Sequence, residues 1–360
     1  MKKEFELLKK LSEVDGISGH EHNVAKLIRN EAEQYVDEVN YDNLGSLIMI
    51  KKGEANEPTI MLAAHMDEVG FVVSKIEDRG YLRIHPIGGW WPHVVLAEMM
   101  TVETSDGKKY LGVTCAEPPH GMPREKRNTV LDIKDVYIDM GVKDKSEIEK
   151  LGIKIGDTVT PKMDFHVLND GKTLLGKAWD DRIGAAVIIE VLKRLSSLKT
   201  KSTVAGVFSV QEEVGLRGAK TSSYQINPDI AFAIDVTMSY DSPTSPKNDT
   251  VLGNGVALSI LDGSVIAHRG LFDFVEKIAK GHNVKYTYDL LTAGGTDSGE
   301  IHKQRSGVIT MTLSLPCRYF HSHVSLIDYD DYQQAVELVY QVVRAIDKDV
   351  LNQLKMSKYE

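Results

Sequence analysis

Ile60-Met61-Leu62-Ala63-Ala64-His65-Met66-Asp67-Glu68-Val69-Gly70 is the stretch on which the organisation of the chain turns. An apolar run ends in His, Asp and Glu, and metal chemistry often starts at such a strand end. Upstream, the pattern predicts helices over Glu4 to Glu13 and Glu21 to Tyr35, and strands over Leu47 to Lys51 and Thr59 to Ala64. Downstream, from about Val69 to Asp164, it changes to short alternating segments broken by Gly and Pro, such as Tyr81 to Pro86 and Thr101 to Thr104 before the turn Ser105-Asp106-Gly107.

After Lys177 the helix and strand rhythm returns. Helices are predicted over Ile183 to Leu195, Leu271 to Ala279 and Tyr332 to Leu351, and strands over Val204 to Val210, Ile230 to Val236 and Val308 to Leu313. The reading is one α/β domain, residues 1–68 and 164–360, interrupted by a β-rich insert at 69–163.

With 42% apolar and 26% charged residues among 360, the chain has an ordinary globular composition, long enough for roughly two cores. A net charge of −9 and the absence of any basic run argue against nucleic acid. Cys115 and Cys317 stand far apart, so neither a disulfide framework nor a thiolate zinc site is suggested, and a cytoplasmic setting is expected. Phe5, Leu8 and Leu11 are spaced as an amphipathic helix rather than a signal peptide. No stretch approaches the ~20 apolar residues of a membrane span.

Five groups of acid or His residues lie just beyond predicted strands or at a helix start, where open α/β sheets bind ligands. His65 has Asp67 two residues on, placed to orient the imidazole. Asp180 and Asp181 precede a helix, where an Asp could equally serve as a cap. Glu212 and Glu213 follow a strand, and both can serve one site only if the chain leaves strand geometry there. Asp235 ends an apolar run fit for a central strand, so it must be paired, hydrogen-bonded or metal-bound. His321 and His323 close the series. Each alone has a structural explanation, but together they supply the nitrogen and carboxylate donors that suit zinc, cobalt or manganese.

The motifs AAHMDEVG (63–70), GGWWP (88–92), KAWDDR (177–182), QEEVGLRGAK (211–220), GGTDSG (294–299) and RYFHSH (318–323) resemble those of the cytosolic dinuclear-metal aminopeptidases of the glutamyl and tetrahedral aminopeptidase family. The resemblance implies a three-layer α/β/α metallopeptidase domain with a mixed sheet, interrupted by an inserted β-barrel-like dimerisation domain. It implies two divalent ions per subunit, zinc first with cobalt or manganese as alternatives. His65 and Asp235 would be terminal ligands of one ion, Glu213 and His321 of the other, and Asp180 the bridge; Glu212 would be the general base and Asp67 the support of His65. Asp181 and Glu68 receive no role. Two cations about 3.5 to 4 Å apart can hold a bridging water and bring its pKa toward roughly 7.

On the same resemblance, Gly294, Gly295, Thr296 and Asp297 form the substrate-side loop, and Arg318, His323 and also Arg269 could receive an acidic side chain, giving a preference for N-terminal Glu or Asp. Small peptides with a free N-terminus would be the substrates, and a tetrahedral dodecamer built from dimers the assembly. The competing readings are an aminopeptidase of broad or hydrophobic preference, a glycoside hydrolase of endoglucanase type, which needs two acids but no His ligands, and a non-catalytic assembly protein.

Overall fold

A computed structural model of the chain describes residues 3–54 and 58–359. From the N-terminal side, α1 (Glu6–Glu13) and α2 (His22–Ala32) are followed by β1 (Glu38–Tyr41), β2 (Leu47–Lys51) and β3 (Thr59–His65). Next come β4 (Gly70–Ile76), β5 (Leu82–Ile87), β6 (Met99–Glu103), β7 (Lys109–Cys115), β8 (Tyr137–Asp139), α3 (Lys145–Leu151) and β9 (Thr158–Pro161). These six strands close into an antiparallel barrel in the order β4-β5-β8-β7-β6-β9. Phe71, Val73, Leu82, Met100, Val102, Ile138 and Val159 fill it, so it has a core of its own.

The chain then forms β10 (His166–Val167), β11 (Thr173–Gly176), α4 (Trp179–Leu195), β12 (Thr203–Ser209), α5 (Arg217–Ile226), β13 (Ile230–Met238), β14 (Val256–Leu261) and α6 (Arg269–Gly281). It ends with β15 (Tyr286–Leu290), α7 (Ser298–Ile301), β16 (Ile309–Cys317), β17 (Ser325–Asp328), α8 (Tyr329–Ala345) and α9 (Lys348–Met356). Strands β1-β2-β12-β3-β13-β16-β14-β15 make one eight-stranded mixed sheet. Its centre, β12, β3, β13 and β16, is parallel.

Both faces of that centre are buried, which is why β3 reads as a continuous apolar run. Ile60, Leu62 and Ala64 face the layer of α1, α2, α4, α6 and α8, whereas Met61 and Ala63 face α5 and α7, as the period of two requires. The result is the expected three-layer α/β/α unit with a barrel between β3 and β10. The expected helix Tyr332 to Leu351 is two helices: Ile346 is extended (ψ 125°) and the Asp347 side chain accepts the Val350 N–H, capping a fresh start. Apolar spacing continues across this break, so periodicity alone could not show it. No helix among the described residues is long and apolar enough to cross a membrane.

Candidate active site

The parallel centre sends its strands out at one end of the sheet. His65 is the last residue of β3 and sits in register with Ser209 of β12. Asp235 lies within β13, the loop after β12 carries Glu212 and Glu213, and the loop after β16 carries His321. Asp180 and Asp181, joined by a cis peptide bond, have non-helical dihedrals, and the regular helix begins after them.

The two imidazoles meet across Asp180. His65 Nε2 lies 3.0 Å from Asp180 Oδ1, and His321 Nε2 lies 3.3 Å from Asp180 Oδ2 and 3.5 Å from Glu213 Oε2. Each ring is aimed from behind by a carbonyl: His65 Nδ1 contacts the Asp67 carbonyl at 2.9 Å and His321 Nδ1 the Gly89 carbonyl at 2.8 Å. That leaves both Nε2 atoms toward the shared carboxylate. Gly89 comes from the barrel side, and a Cβ there would stand 3.0 Å from His321 Nδ1, so a larger residue would crowd the ring.

Asp67 does more than support His65. Its carboxylate is 3.6 Å from the imidazole and instead accepts Ser18 Oγ–H and the N–H groups of Glu212 (3.0 Å) and Glu213 (3.1 Å). Gln211, just before, has φ +56°, so the chain does leave strand geometry where two adjacent carboxylates require it. Glu21, buried, accepts the Gln211 N–H at 2.9 Å; sequence reasoning missed this residue, which shows only as an acid at the start of a helix. The capping role falls to Asp181 rather than Asp180: its Oδ1 accepts the Gly184 N–H and its Oδ2 the His65 N–H.

Glu68, without a role in the sequence, holds Lys177 Nζ at 2.6 and 2.8 Å, and Lys177 also meets Asp15 at 2.9 Å. Fully buried Arg182 donates to the carbonyls of Leu11, Val14 and Met66. These ties clamp the N-terminal segment and the β3 exit onto the strand of chain that carries Asp180.

Burial pushes the Asp235, Glu212 and Asp181 carboxyls well above the usual range, and Glu213 up to about 8, with neighbouring carboxylates adding to it. For His321 burial acts downward, but Asp180 and Glu213 outweigh it and raise the ring to about 9. A cluster of this kind asks for cations. Donor atoms of His65, Asp180 and Glu213 lie within 4.8 Å of one another, as do those of His65, Asp181 and Asp235. Two donors each ~2.1 Å from a tetrahedral ion stand about 3.4 Å apart, close to the separations seen. Glu213 Oε1 is buried with no hydrogen-bond partner, the state of an oxygen kept for an ion. The donor set therefore fits divalent metal.

Beside the cluster lies a cavity of about 340 Å³ lined by Gly294, Gly295 and Thr296 among others. Gly294 has φ +87°, a conformation that favours glycine. Asp297 is not in the wall but turns inward to Ser209 Oγ. Nor is Arg318, whose guanidinium is held at two points by Asp241 (2.6 and 2.5 Å), and His323 is held by Glu98 at 2.7 Å. Arg269 is 82% exposed on its helix and pairs with Asp273. The three bases expected to receive an acidic side chain are thus engaged elsewhere.

The profile of the M42 glutamyl aminopeptidase family matches residues 45–338. The chain belongs to the M42 glutamyl aminopeptidase family. Glutamyl aminopeptidase of Lactococcus lactis is 34% identical over 98% of this chain and 99% of its own, and lysyl aminopeptidase of Pyrococcus furiosus is 34% identical over 93% and 95%. A TET aminopeptidase from a Thaumarchaeota archaeon superposes with TM-score 0.95 at 37% identity, covering 98% of this chain and 99% of that one. The Pyrococcus horikoshii TET1 peptidase, described as assembling into a tetrahedron or a large octahedral shell, gives TM-score 0.86 at 34% identity over 95% and 99%. As an M42 peptidase the protein is a peptide hydrolase, and the family implies divalent metals.

Proposed function

We propose that the protein is a metal-dependent aminopeptidase that hydrolyses N-terminal residues from small peptides, with Asp180 as the carboxylate shared by two metal sites. The observation that carries this is Asp180 set between two imidazoles, Oδ1 toward His65 and Oδ2 toward His321. His65 and Asp235 complete one site, Glu213 and His321 the other. A glycosidase has no use for two imidazoles on one shared carboxylate.

When bound, two divalent cations, zinc foremost and cobalt or manganese as alternatives, supply Lewis acidity for the scissile carbonyl and lower the pKa of the attacking water toward about 7. Glu212 takes the proton from that water. Beside bound cations its carboxylate would be ionised, and once protonated it can deliver the proton to the leaving amine. Asp67 fixes the backbone from which Glu212 and Glu213 project. The acid-rich end of the cavity gives a free α-amino group its anionic partners, which makes the enzyme an exopeptidase. Paired substrates test this: a peptide with a free N-terminus is cleaved and its N-acetyl form is not, and equal cleavage of both would refute the reading.

The proposal extends to assembly. Trp91 (61% exposed), Leu111 (60%), Met99 (54%) and Val130 (50%) stand out on the barrel, whereas Trp90 stacks on Phe71 inside it. These exposed apolar residues fit residues 69–163 as a dimerisation domain, with residues 1–68 and 164–360 catalytic, and the tetrahedral dodecamer as the homo-oligomer. The free thiols Cys115 and Cys317 fit a cytoplasmic setting.

A further inference from the structure

We infer that the residue removed from the N-terminus carries a neutral, apolar side chain of leucine or methionine type, because the cavity beside the carboxylate cluster has apolar walls and no lysine or arginine among its described lining residues. This rests on the aminopeptidase reading above and names its substrate class.

The cavity wall joins Asp180, Glu212, Glu213, Asp235 and His321 to the apolar Leu216, Met238, Leu291 and Phe320. The apolar part comes from four separate pieces of chain. Leu216, with φ +56°, ends the turn after Glu213; Met238 closes β13; Leu291 follows β15; Phe320 immediately precedes His321. With the α-amino group and carbonyl held at the carboxylates, the first side chain lies against these apolar walls.

A glutamate side chain placed there would meet no lysine or arginine among the described lining residues. A carboxylate leaving water without a partner is strongly disfavoured. Arg318 could serve only by giving up its two-point contact with Asp241, and His323 only by leaving Glu98. A lysine side chain fares no better, since the described lining carboxylates are those already assigned to the metals, the base and the α-amino group. The four apolar walls, in contrast, gain from every methylene placed between them.

The test uses the metal-loaded enzyme on leucyl, glutamyl and lysyl anilides, with calorimetric binding of free leucine and free glutamate as a second readout. Leucyl anilide is expected to exceed both others by about 100-fold in kcat/KM, and leucine to bind more tightly than glutamate. Met238→Lys, at a 39% exposed position that tolerates a long polar chain, should move the leucyl to glutamyl ratio at least about tenfold toward glutamate. Glutamyl or lysyl anilide turned over better than leucyl, or glutamate binding more tightly than leucine, would overturn the inference. If no anilide is cleaved, the aminopeptidase reading fails, and the binding comparison still decides the character of the cavity.

Discussion

Glu21 Oε1 accepts the backbone N–H of Gln211 at 2.9 Å, joining the turn before α2 to the exit of β12 across 190 residues of sequence. The same oxygen accepts the Gly19 N–H at 2.8 Å. Together with Asp67, which takes the next two N–H groups, it fixes the left-handed turn that aims Glu212 and Glu213 at one site.

Glu21 is therefore expected to position Glu212, the proposed general base. Glu21→Ala should lower kcat by about 10- to 100-fold with bound metal nearly unchanged, while Glu21→Gln, which keeps the accepting oxygen, should restore most of it. Steady-state kinetics with metal analysis checks this, and equal loss in both variants would point to a charge effect instead.

The same residue has a pH signature. Burial, with Asp67 adding to it, pushes the Glu21 carboxyl from 4.5 up to about 7. A carboxyl raised on folding carries its stability below its unfolded pKa and loses it as pH rises through the folded one. Between pH 4.5 and 7 the parent should thus lose stability relative to Glu21→Gln, by about 3 kcal/mol, and the two melting curves should run parallel above. A gap in Tm that does not change with pH contradicts the assignment.

Glu212→Gln removes a base and no proposed ligand. Turnover should fall by at least about 100-fold with metal stoichiometry kept. Loss of metal in this variant would make Glu212 a ligand.

Metal removal should cost more at high pH. In the metal-free cluster Glu213 is raised to about 8 and His321 to about 9, so both groups favour folding at low pH and cease to do so as pH rises through those values. Chelation should then lower Tm more at pH 9 than at pH 6, as scanning calorimetry would show. A shift in Tm that shrinks with rising pH would exclude this electrostatic role for the ions.

Lys177 is 2% exposed between Glu68 and Asp15, so Lys177→Ala removes the closest cation from buried Glu68, leaving it Arg182 at 3.4 Å, while Asp15 keeps Lys109. About 3 to 5 kcal/mol of stability should be lost, read by denaturant unfolding. A loss below about 1 kcal/mol would show the network to be dispensable.

Much of this was legible in the sequence because burial on both faces leaves a plain mark. The run around Ile60 reads as a strand and that around Ile230 as a central one, and each leads into a candidate site residue. What escaped notice lacked such a mark. β15 lies at the sheet edge, where Tyr288 and Leu290 remain exposed and the apolar pattern is diluted. Glu21 and Glu68 act through backbone groups and buried cations far away in sequence, so local spacing gives no sign of them. Arg318 and His323 were readable as charges, but the partners that occupy them, Asp241 and Glu98, are set by the fold.

The most direct test is turnover of leucyl anilide after exhaustive chelation and then after restoring zinc, cobalt or manganese. Chelation should abolish turnover and at least one of the ions should recover it, with two ions bound per chain at full activity. Turnover insensitive to chelation, or cleavage of a cellulosic substrate without any peptide cleavage, would contradict the dinuclear aminopeptidase assignment.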